Sequence, residues 1–329
     1  MKILFVASEA YPLVKTGGLG DVLYSLPHAL RARGTDIRLV LPGYRALLRQ
    51  LDQVRILGWL DVRGAEGIVS ARILETRHSD FAFPLWVVDC PPLFDRAGNP
   101  YVNAGGQDWP DNAERFAVFA RVAAQLAQDG PDVGWQPAVV HAHDWLTAYA
   151  GRALKHAFKL PLVATIHATE SGRNNGLHND TQRYISDVEW WLTYEAWRVI
   201  VCSSFMEREL LGFFQLPADK VNVIPNGVRV EDFIAKSRPA AAGYEKYVFF
   251  VGRLVREKGV QVLIDAAPQI LARLPETRFV IAGTGPYEEH LRVKTIQRGL
   301  GNRFYFAGYV EDEVRNQWYA QSSVAVFPS

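Results

Sequence analysis

Short apolar runs rich in β-branched residues recur along the chain, and each ends in Gly, Pro, Ser or His before a helical pattern begins. Fully apolar strands that alternate with helices are typical of parallel βαβ units, in which both faces of the sheet are covered. We therefore predict an α/β protein. The strands of its first part are predicted at Ile3–Ser8, Ile37–Pro42, Leu85–Cys90, Ala138–His143, Leu162–His167, Val199–Ser203 and Val221–Pro225.

This alternation is interrupted twice. A β-hairpin inserted between βα units is predicted, with its two strands at Arg55–Arg63 and Ile68–Arg77. Ala235–Tyr244 has no periodicity and is interpreted as a linker, after which the alternation restarts. We predict a first domain over residues 1–234, a linker over 235–245 and a second Rossmann-like domain over 246–329, with the two domains facing each other across one cleft.

In the second domain, strands are predicted at Tyr247–Val251, Phe279–Ala282, Phe304–Ala307 and Val324–Phe327, with a helix at Gly259–Leu274.

The composition is that of a globular protein: 329 residues, 49% hydrophobic and 22% charged, with a formal net charge of +1. Such a balance excludes a disordered chain and provides no basic field for nucleic acid. Glu9 interrupts the first apolar run, and no run reaches the roughly 18 apolar residues of a membrane span. We therefore expect a cytoplasmic protein without a nucleic-acid or membrane partner.

Two features are interpreted as core packing. Cys90 and Cys202 lie inside apolar runs and are expected to be buried thiols in a reducing cytosol. Trp190, Trp191 and Trp197 have helical spacing and are expected to pack inward from one helix.

A glycine-rich segment, Lys15-Thr16-Gly17-Gly18-Leu19-Gly20-Asp21-Val22, follows the first predicted strand and leads into a helix predicted at Asp21–Arg33. The glycines allow close approach to the backbone, the helix N-terminus attracts anions, and Lys15 adds a full positive charge. We predict a phosphate-binding loop, with a plain glycine turn as the alternative. The spacing matches neither a Walker loop nor the dinucleotide fingerprint, and no clear acidic residue closes a following strand to bind a ribose, which argues against a nicotinamide-dependent dehydrogenase.

Polar residues end two neighbouring predicted strands, His141-Ala142-His143-Asp144 and Thr165-Ile166-His167. Because ligands of open α/β sheets bind at the carboxyl ends of strands, we predict that Asp144 contacts a sugar hydroxyl and that His167 lies in the same cleft. A metal site is disfavoured, since no further convincing ligands are evident. For His167 the alternative is a hydrogen-bonded histidine in a helix-capping loop.

In the second domain, Arg253 and Lys258 flank the predicted start of the long helix, where a guanidinium and an ammonium suit a diphosphate. Gly283-Thr284-Gly285 follows the next strand and is interpreted as a close-approach turn for a nucleoside. A solvated charge run and an ordinary turn are the respective alternatives.

These motifs resemble the retaining GT-B glycosyltransferases. The segments at Lys15–Val22, Pro110–Phe116 and His141–Trp145 resemble bacterial glycogen synthase and plant starch synthase, most strongly over residues 1–145. From His167-Ala168-Thr169-Glu170 onward, the sequence is more similar to the broad nucleotide-sugar glycosyltransferase family. Glycogen synthases usually have Asn-Leu after that histidine.

The resemblance implies transfer of glucose, with retention, from ADP-glucose to the non-reducing end of an α-1,4-glucan, without a metal or other cofactor. It implies that Lys15, Gly17, Gly18 and Asp21 contact the donor and that Asp144 and His167 hold glucose hydroxyls. Lys15, Asp144 and His167 are the expected catalytic residues. By the same resemblance, Arg253 and Lys258 bind the diphosphate, and the turn Gly283-Thr284-Gly285 lies at the nucleoside.

The family has a Glu-x7-Glu element after the segment that ends here at Phe327-Pro328-Ser329, and a closing helix. We therefore expect the second domain to be incomplete and residues 1–329 alone to have little synthase activity. The alternatives are a retaining transferase that uses a UDP- or GDP-sugar, a non-catalytic module that binds nucleotide sugar or glucan, and a nucleotide-sugar epimerase.

Overall fold

The structure, a computed structural model, describes residues 1–129, 135–227 and 247–328. It divides into two compact units, Met1–Asn226 and Gly227–Ser329. The predicted linker 235–245 lies outside the described residues, so the domain boundaries at 234 and 246 stay a prediction.

The first unit is built on a nine-stranded sheet in the order β3-β4-β5-β2-β1-β6-β7-β8-β9. Strand β4 runs antiparallel to its neighbours β3 and β5, and the other neighbouring pairs are parallel. The strands are β1 (Lys2–Val6), β2 (Asp36–Pro42), β3 (Val54–Arg63), β4 (Ile68–Thr76), β5 (Leu85–Asp89), β6 (Val139–His143), β7 (Leu162–Ile166), β8 (Arg198–Val201) and β9 (Val221–Val223).

Helices cover both faces of this sheet, which is why its central strands are apolar on both sides. Three of the described helices are capped by side chains: Thr169 accepts from the Gly172 amide, Asn179 from the Gln182 amide and Ser203 from the Met206 amide, each at the N-terminus of its helix. The helices are α1 (Gly18–Ala32), α2 (Arg45–Leu48), α3 (Pro91–Phe94), α4 (Asn112–Asp129), α5 (Ala148–Phe158), α6 (Glu170–Asn174), α7 (Asp180–Glu195) and α8 (Ser204–Phe213).

The strand order reverses between β1 and β6. From β1 the chain passes through α1 to β2 on one side, whereas β6 lies on the other side of β1. Loops that leave two such strands diverge and open a crevice at the carboxyl edge of the sheet. The glycine-rich segment after β1 and Asp144 after β6 therefore flank this crevice.

The predicted hairpin is present as β3 and β4 and extends the sheet instead of standing apart from it. Its turn is closed by the Gly64 amide, which donates to the Gly67 carbonyl over 2.7 Å. A bulge shifts the register between Ile56 and Gly58, and β3 is the outer strand.

The second unit contains a parallel sheet in the order β12-β11-β10-β13, with the reversal between β10 and β13. The apolar residues of β10 and β11 pack in two clusters that belong to this unit alone. Its elements are β10 (Tyr247–Val251), α9 (Val260–Arg273), β11 (Arg278–Ala282), α10 (Glu288–Gln297), β12 (Phe304–Gly308), α11 (Asp312–Gln321) and β13 (Val324–Ala325).

The α/β class and the predicted strands are confirmed, with ends that differ by a few residues. The helix predicted from Asp21 begins three residues earlier, at Gly18, because the glycines form its first turn instead of a separate loop. Among the described residues, no helix is both long and apolar enough to cross a membrane.

Candidate active site

The glycine-rich segment leaves one face of the backbone open. Gly17 precedes α1 with no side chain capping the helix, so amides of its first turn lack an intrahelical or capping partner. A Cβ placed on Gly17 or Gly18 meets no atom within 4 Å, whereas one on Gly20 lies 3.2 Å from the Lys15 side chain. Gly20 is therefore explained by packing, and the other two glycines leave space for a ligand.

A buried carboxylate holds this segment. Glu9 is 2% exposed and accepts from the Thr16 amide at 2.5 Å and from the Thr16 hydroxyl at 3.0 Å. The Tyr101 hydroxyl reaches the same carboxylate at 3.3 Å. Burial raises the pKa of Glu9, and the hydrogen bonds from Thr16 oppose that shift. Sequence reasoning used Glu9 only as a break in an apolar run and missed this anchoring contact.

Lys15 and Asp21 form an ion pair, with 2.8 Å between Lys15 Nζ and Asp21 Oδ1. Both side chains are substantially exposed, so the pair contributes little to stability. The Lys15 ammonium is thus held by Asp21, which lies in the first turn of α1, and it lies 5.3 Å from the centroid of the Tyr11 ring. Whether Asp21 itself contacts a donor stays a prediction.

Three histidines meet at the ends of β6 and β7. His143 Nδ1 lies 3.1 Å from His167 Nε2, and His141 Nε2 lies 2.8 Å from the Thr165 hydroxyl. Burial lowers the pKa of His141 to about 3, and the neighbouring His167 adds to the shift. Burial also places the pKa of His143 well below its usual range, so both buried rings are neutral near pH 7.

Asp144 lies directly after β6 with φ 58° and ψ 174°. Its Oδ1 accepts from the His167 amide at 2.9 Å, and its own amide donates to the Thr165 carbonyl at 3.0 Å. The structure therefore brings together Asp144 and His167, as predicted. The carboxylate binds the backbone of His167, a contact that the sequence did not suggest.

An ion-pair network centred on Arg173 lies next to Asp144, and the sequence analysis did not identify Arg173 or Glu189 as site residues. Arg173 lies 4.0 Å from Asp144 Oδ2, 3.5 Å from Glu170 and 3.9 Å from Glu189. Glu189 is 1% exposed and accepts from the Glu170 amide at 2.9 Å. Burial raises the pKa of Glu189 to about 8, although the Glu170 amide and Arg173 lower it.

The two cysteines differ in their exposure to solvent. Cys90 is buried, as expected, but Cys202 is partly exposed and its Sγ lies 3.9 Å from His167 Nδ1. The Cys202 thiol also donates to Asn226 Oδ1 at 3.4 Å. The expectation of two buried thiols is therefore wrong for Cys202, because β8 ends at Val201 and leaves the next residue at the sheet edge.

In the second unit, protein atoms fill the space beside the glycines of the turn Gly283-Thr284-Gly285. A Cβ on Gly283, where φ is 122°, would lie 1.9 Å from the Gly252 carbonyl, and one on Gly285 would lie 2.4 Å from that of Leu254. The Leu254 amide donates to the Thr284 carbonyl at 2.9 Å. Close packing of two loops accounts for these glycines, and the predicted nucleoside contact stays a prediction.

The cations of the second unit are separated by a short turn. Arg253 is exposed after β10, and Lys258 is half-buried at the end of a 3₁₀ turn, Arg256–Lys258. Gly259, with φ 73°, then precedes α9. The helix starts after this turn, so Lys258 is the nearer of the two cations along the chain, and the contact of Arg253 and Lys258 with a diphosphate stays a prediction.

Among the residues that the structure describes, no three His, Cys, Asp or Glu side chains converge in an arrangement suited to a metal. This finding adds no support for a metal at His141 and His143. The expectation of a site without metal remains untested.

The sequence matches the family described as the starch synthase catalytic domain over residues 2–219, and that described as glycosyl transferases group 1 over residues 245–329. Glycogen synthase of Alkalilimnicola ehrlichii is 33% identical over 351 residues, covering 89% of this chain and 71% of the relative. Glycogen synthase of Rhodospirillum rubrum is 44% identical over 173 residues, covering 52% of this chain and 35% of the relative.

Solved structures show the same fold. The catalytic domain of starch synthase IV from Arabidopsis thaliana, bound to ADP and acarbose, aligns with a TM-score of 0.74 at 19% identity, covering 99% of this chain and 78% of that one. Sucrose-phosphate synthase from Thermosynechococcus elongatus aligns with a TM-score of 0.68 at 21% identity, covering 100% and 75%.

The fold and these matches define the class, a glycosyltransferase with the α/β architecture of the GT-B group. Within that class, the chain belongs to the starch synthase catalytic domain family. It spans about a third of the length of the first curated relatives it matches, 33% to 35%.

Proposed function

We propose that this protein transfers glucose from ADP-glucose to the non-reducing end of an α-1,4-glucan with retention of configuration. It does so in the cytoplasm, without a metal or a separate cofactor. The observation that carries the proposal is the open space at Gly17 and Gly18, at the N-terminus of α1, together with the Lys15 ammonium that pairs with Asp21 in the first turn of that helix. A phosphate suits such a site, because free amides, the helix dipole and the ammonium all favour negative charge.

The reacting sugar is assigned to the same edge of the sheet. Asp144 and His167 follow β6 and β7, next to the strand that precedes the glycine-rich segment. We assign the glucose hydroxyls to these two side chains and the donor's distal phosphate to Lys15, Gly17 and Gly18. Positive groups near the leaving diphosphate stabilise its developing charge, which is the main electrostatic demand of the reaction.

The identity of the donor is supported by relatives and is tested directly. The neighbours include a starch synthase solved with ADP and proteins described with UDP or UDP-glucose. We therefore propose ADP-glucose, and a thermal-shift series with ADP-glucose, UDP-glucose and GDP-mannose discriminates among the bases. ADP-glucose is expected to raise the unfolding temperature most, since a ligand stabilises only the state that binds it.

Lys15→Ala tests the phosphate contact. The variant is expected to unfold within about 0.5 kcal/mol of the wild type, because the Lys15–Asp21 pair is exposed, and to lose most of the shift caused by ADP-glucose. Arg208→Ala removes an exposed cation from α8 and should leave the shift unchanged. An equal shift in wild type and Lys15→Ala would contradict the phosphate assignment.

Transfer itself is measured by incorporation of labelled glucose from ADP-glucose into glycogen, followed by β-amylase digestion to identify the linkage. Label released as maltose supports the proposed reaction. Glucan binding without ADP-glucose binding would indicate a binding module, and an altered free nucleotide sugar would indicate an epimerase. Either of these outcomes overturns the proposal.

A further inference from the structure

The buried ring of His143 has one nitrogen with a partner and one without. Nδ1 lies 3.1 Å from His167 Nε2, whereas Nε2 is buried with no hydrogen-bond partner among the described residues. His143 is 1% exposed and packs against Phe5 at 5.8 Å and His141 at 4.2 Å between ring centroids. The ring therefore has a fixed position and no access to water.

A neutral imidazole carries a single N–H, so its place can be deduced from these contacts. A proton on Nε2 would leave a donor buried and unpaired, a situation that native structures avoid more strongly than an unpaired acceptor. A proton on Nδ1 is donated to His167 instead. Burial, which keeps the pKa of His143 well below its usual range, excludes the doubly protonated ring near neutral pH.

We infer that His143 is a positioning residue that donates its Nδ1–H to His167 Nε2 and thereby fixes His167 as the tautomer protonated on Nδ1. The His167 backbone is held independently, because its amide donates to Asp144 Oδ1 at 2.9 Å. Ring and main chain are thus fixed from two adjacent strand ends, and the orientation of the remaining N–H of His167 follows from both contacts.

The consequence concerns what His167 can do. With Nε2 accepting from His143, the ring nitrogen left to interact with other groups is Nδ1, an N–H donor that lies 3.9 Å from Cys202 Sγ. Sulfur is a weak acceptor, so a sugar oxygen would be a better partner for this N–H. His167 is therefore a hydrogen-bond donor to the substrate and not a general base. This role rests on the proposed function, whereas the tautomer rests on the contacts and the burial of the ring.

The test compares two amides at position 143. In His143→Asn the side-chain NH2 occupies the place of Nδ1 and keeps the donor, whereas in His143→Gln it lies near the place of Nε2. His143→Leu removes both. The tautomer of His167 is read from long-range ¹H–¹⁵N correlations of the full chain labelled in its imidazole rings, with His167→Asn identifying the signals.

The wild type and His143→Asn are expected to carry the His167 proton on Nδ1, and His143→Gln and His143→Leu to move it toward Nε2, the tautomer that free histidine prefers. If the first two proteins carry it on Nε2, or if His143→Leu leaves it on Nδ1, the inference is overturned. Circular dichroism of each variant shows that the fold is retained, and His143→Asn keeps the test valid if His143→Leu does not fold.

Glucose transfer gives a separate readout. His143→Leu is expected to lower kcat by about tenfold, the loss of one well-placed hydrogen bond, and His143→Asn by much less. A wild-type tautomer on Nδ1 without any ADP-glucose binding would leave the ring assignment intact and overturn only the proposed function. Equal kcat in the leucine and asparagine variants would overturn the positioning role.

Discussion

Asp144 has backbone angles, φ 58° and ψ 174°, that are open almost only to glycine. Residues in such conformations are under strain and persist where the surrounding structure fixes them, often at functional sites. Here, the Asp144 amide and carboxylate are both hydrogen-bonded to the neighbouring strand end. These two hydrogen bonds hold the backbone of Asp144 in its strained conformation, and that conformation fixes the position of the carboxylate.

We expect Asp144→Gly to be more stable than Asp144→Ala by about 1 kcal/mol, because both lose the carboxylate and only alanine keeps the strain. Both should lose glucose transfer. Urea unfolding of the two variants measures the difference. Arg208→Gly and Arg208→Ala, in the middle of α8, form the control pair, in which alanine should be the more stable. The same order at both positions would show that Asp144 is not strained.

Glu189 makes stability depend on pH near neutrality. Its pKa is raised to about 8 by burial, so the folded state binds the proton more tightly than the unfolded state. The associated stability is fully present below the unfolded pKa near 4.5 and is lost as the pH rises through 8. Glu189→Gln keeps an acceptor for the Glu170 amide and should remove this decline between pH 5 and 8 in urea unfolding.

Asp111 is the control of opposite sign. Hydrogen bonds from Arg96 lower its pKa, so its contribution is present above the unfolded pKa of 3.8 and disappears as the pH falls. Asp111→Asn should therefore lower stability by a constant amount at neutral pH, leave the slope between pH 5 and 8 as in the wild type, and remove the loss of stability on the acid side. If Glu189→Gln shows the same slope as the wild type between pH 5 and 8, the assignment to Glu189 is wrong.

Among the elements, the strands were predictable because they are apolar on both faces, and the strand ends followed from the polar residues after them. The helix α7 was not read correctly. Trp190 in α7, and Trp197 beyond the end of that helix at Glu195, were expected to pack inward from one helix but are 43% and 58% exposed, whereas Glu189 is buried. A periodic pattern predicts which residues share a face, but the carboxyl group of a glutamate can occupy the inward face when a backbone amide and an arginine lie next to it, and no sequence signal identified those partners.

A methyl group is expected to affect stability little at the glycine-rich segment of the first unit and strongly at the turn Gly283-Thr284-Gly285 of the second unit. Gly18→Ala adds a Cβ to open space and should change stability by no more than about 1 kcal/mol while reducing the thermal shift caused by ADP-glucose. Gly283→Ala should cost about 3 kcal/mol, because φ is 122° and the Cβ would overlap the Gly252 carbonyl. Thermal unfolding with and without donor measures both, and a destabilised Gly18→Ala would show that this face is not open.

At the scale of the molecule, each unit has its own apolar core. The largest cluster lies wholly within residues 3–223, and the clusters of the second unit lie within 247–326. We expect residues 1–226 produced alone to unfold cooperatively in urea, with an m-value lower in proportion to the smaller surface exposed. A broad, non-cooperative transition of this fragment would show that the first unit depends on the second.

The outer strand β3 has a consequence for the behaviour of the protein in concentrated solution. A ten-residue edge with exposed Ile56 and Trp59 offers unpaired backbone groups to other chains. The bulge at Gly58 twists this edge, and the charges of Asp61 and Arg63 are exposed along it, so that a second strand cannot align. Deleting Gly58 would straighten β3, and light scattering during refolding should then rise as molecules join edge to edge and aggregate.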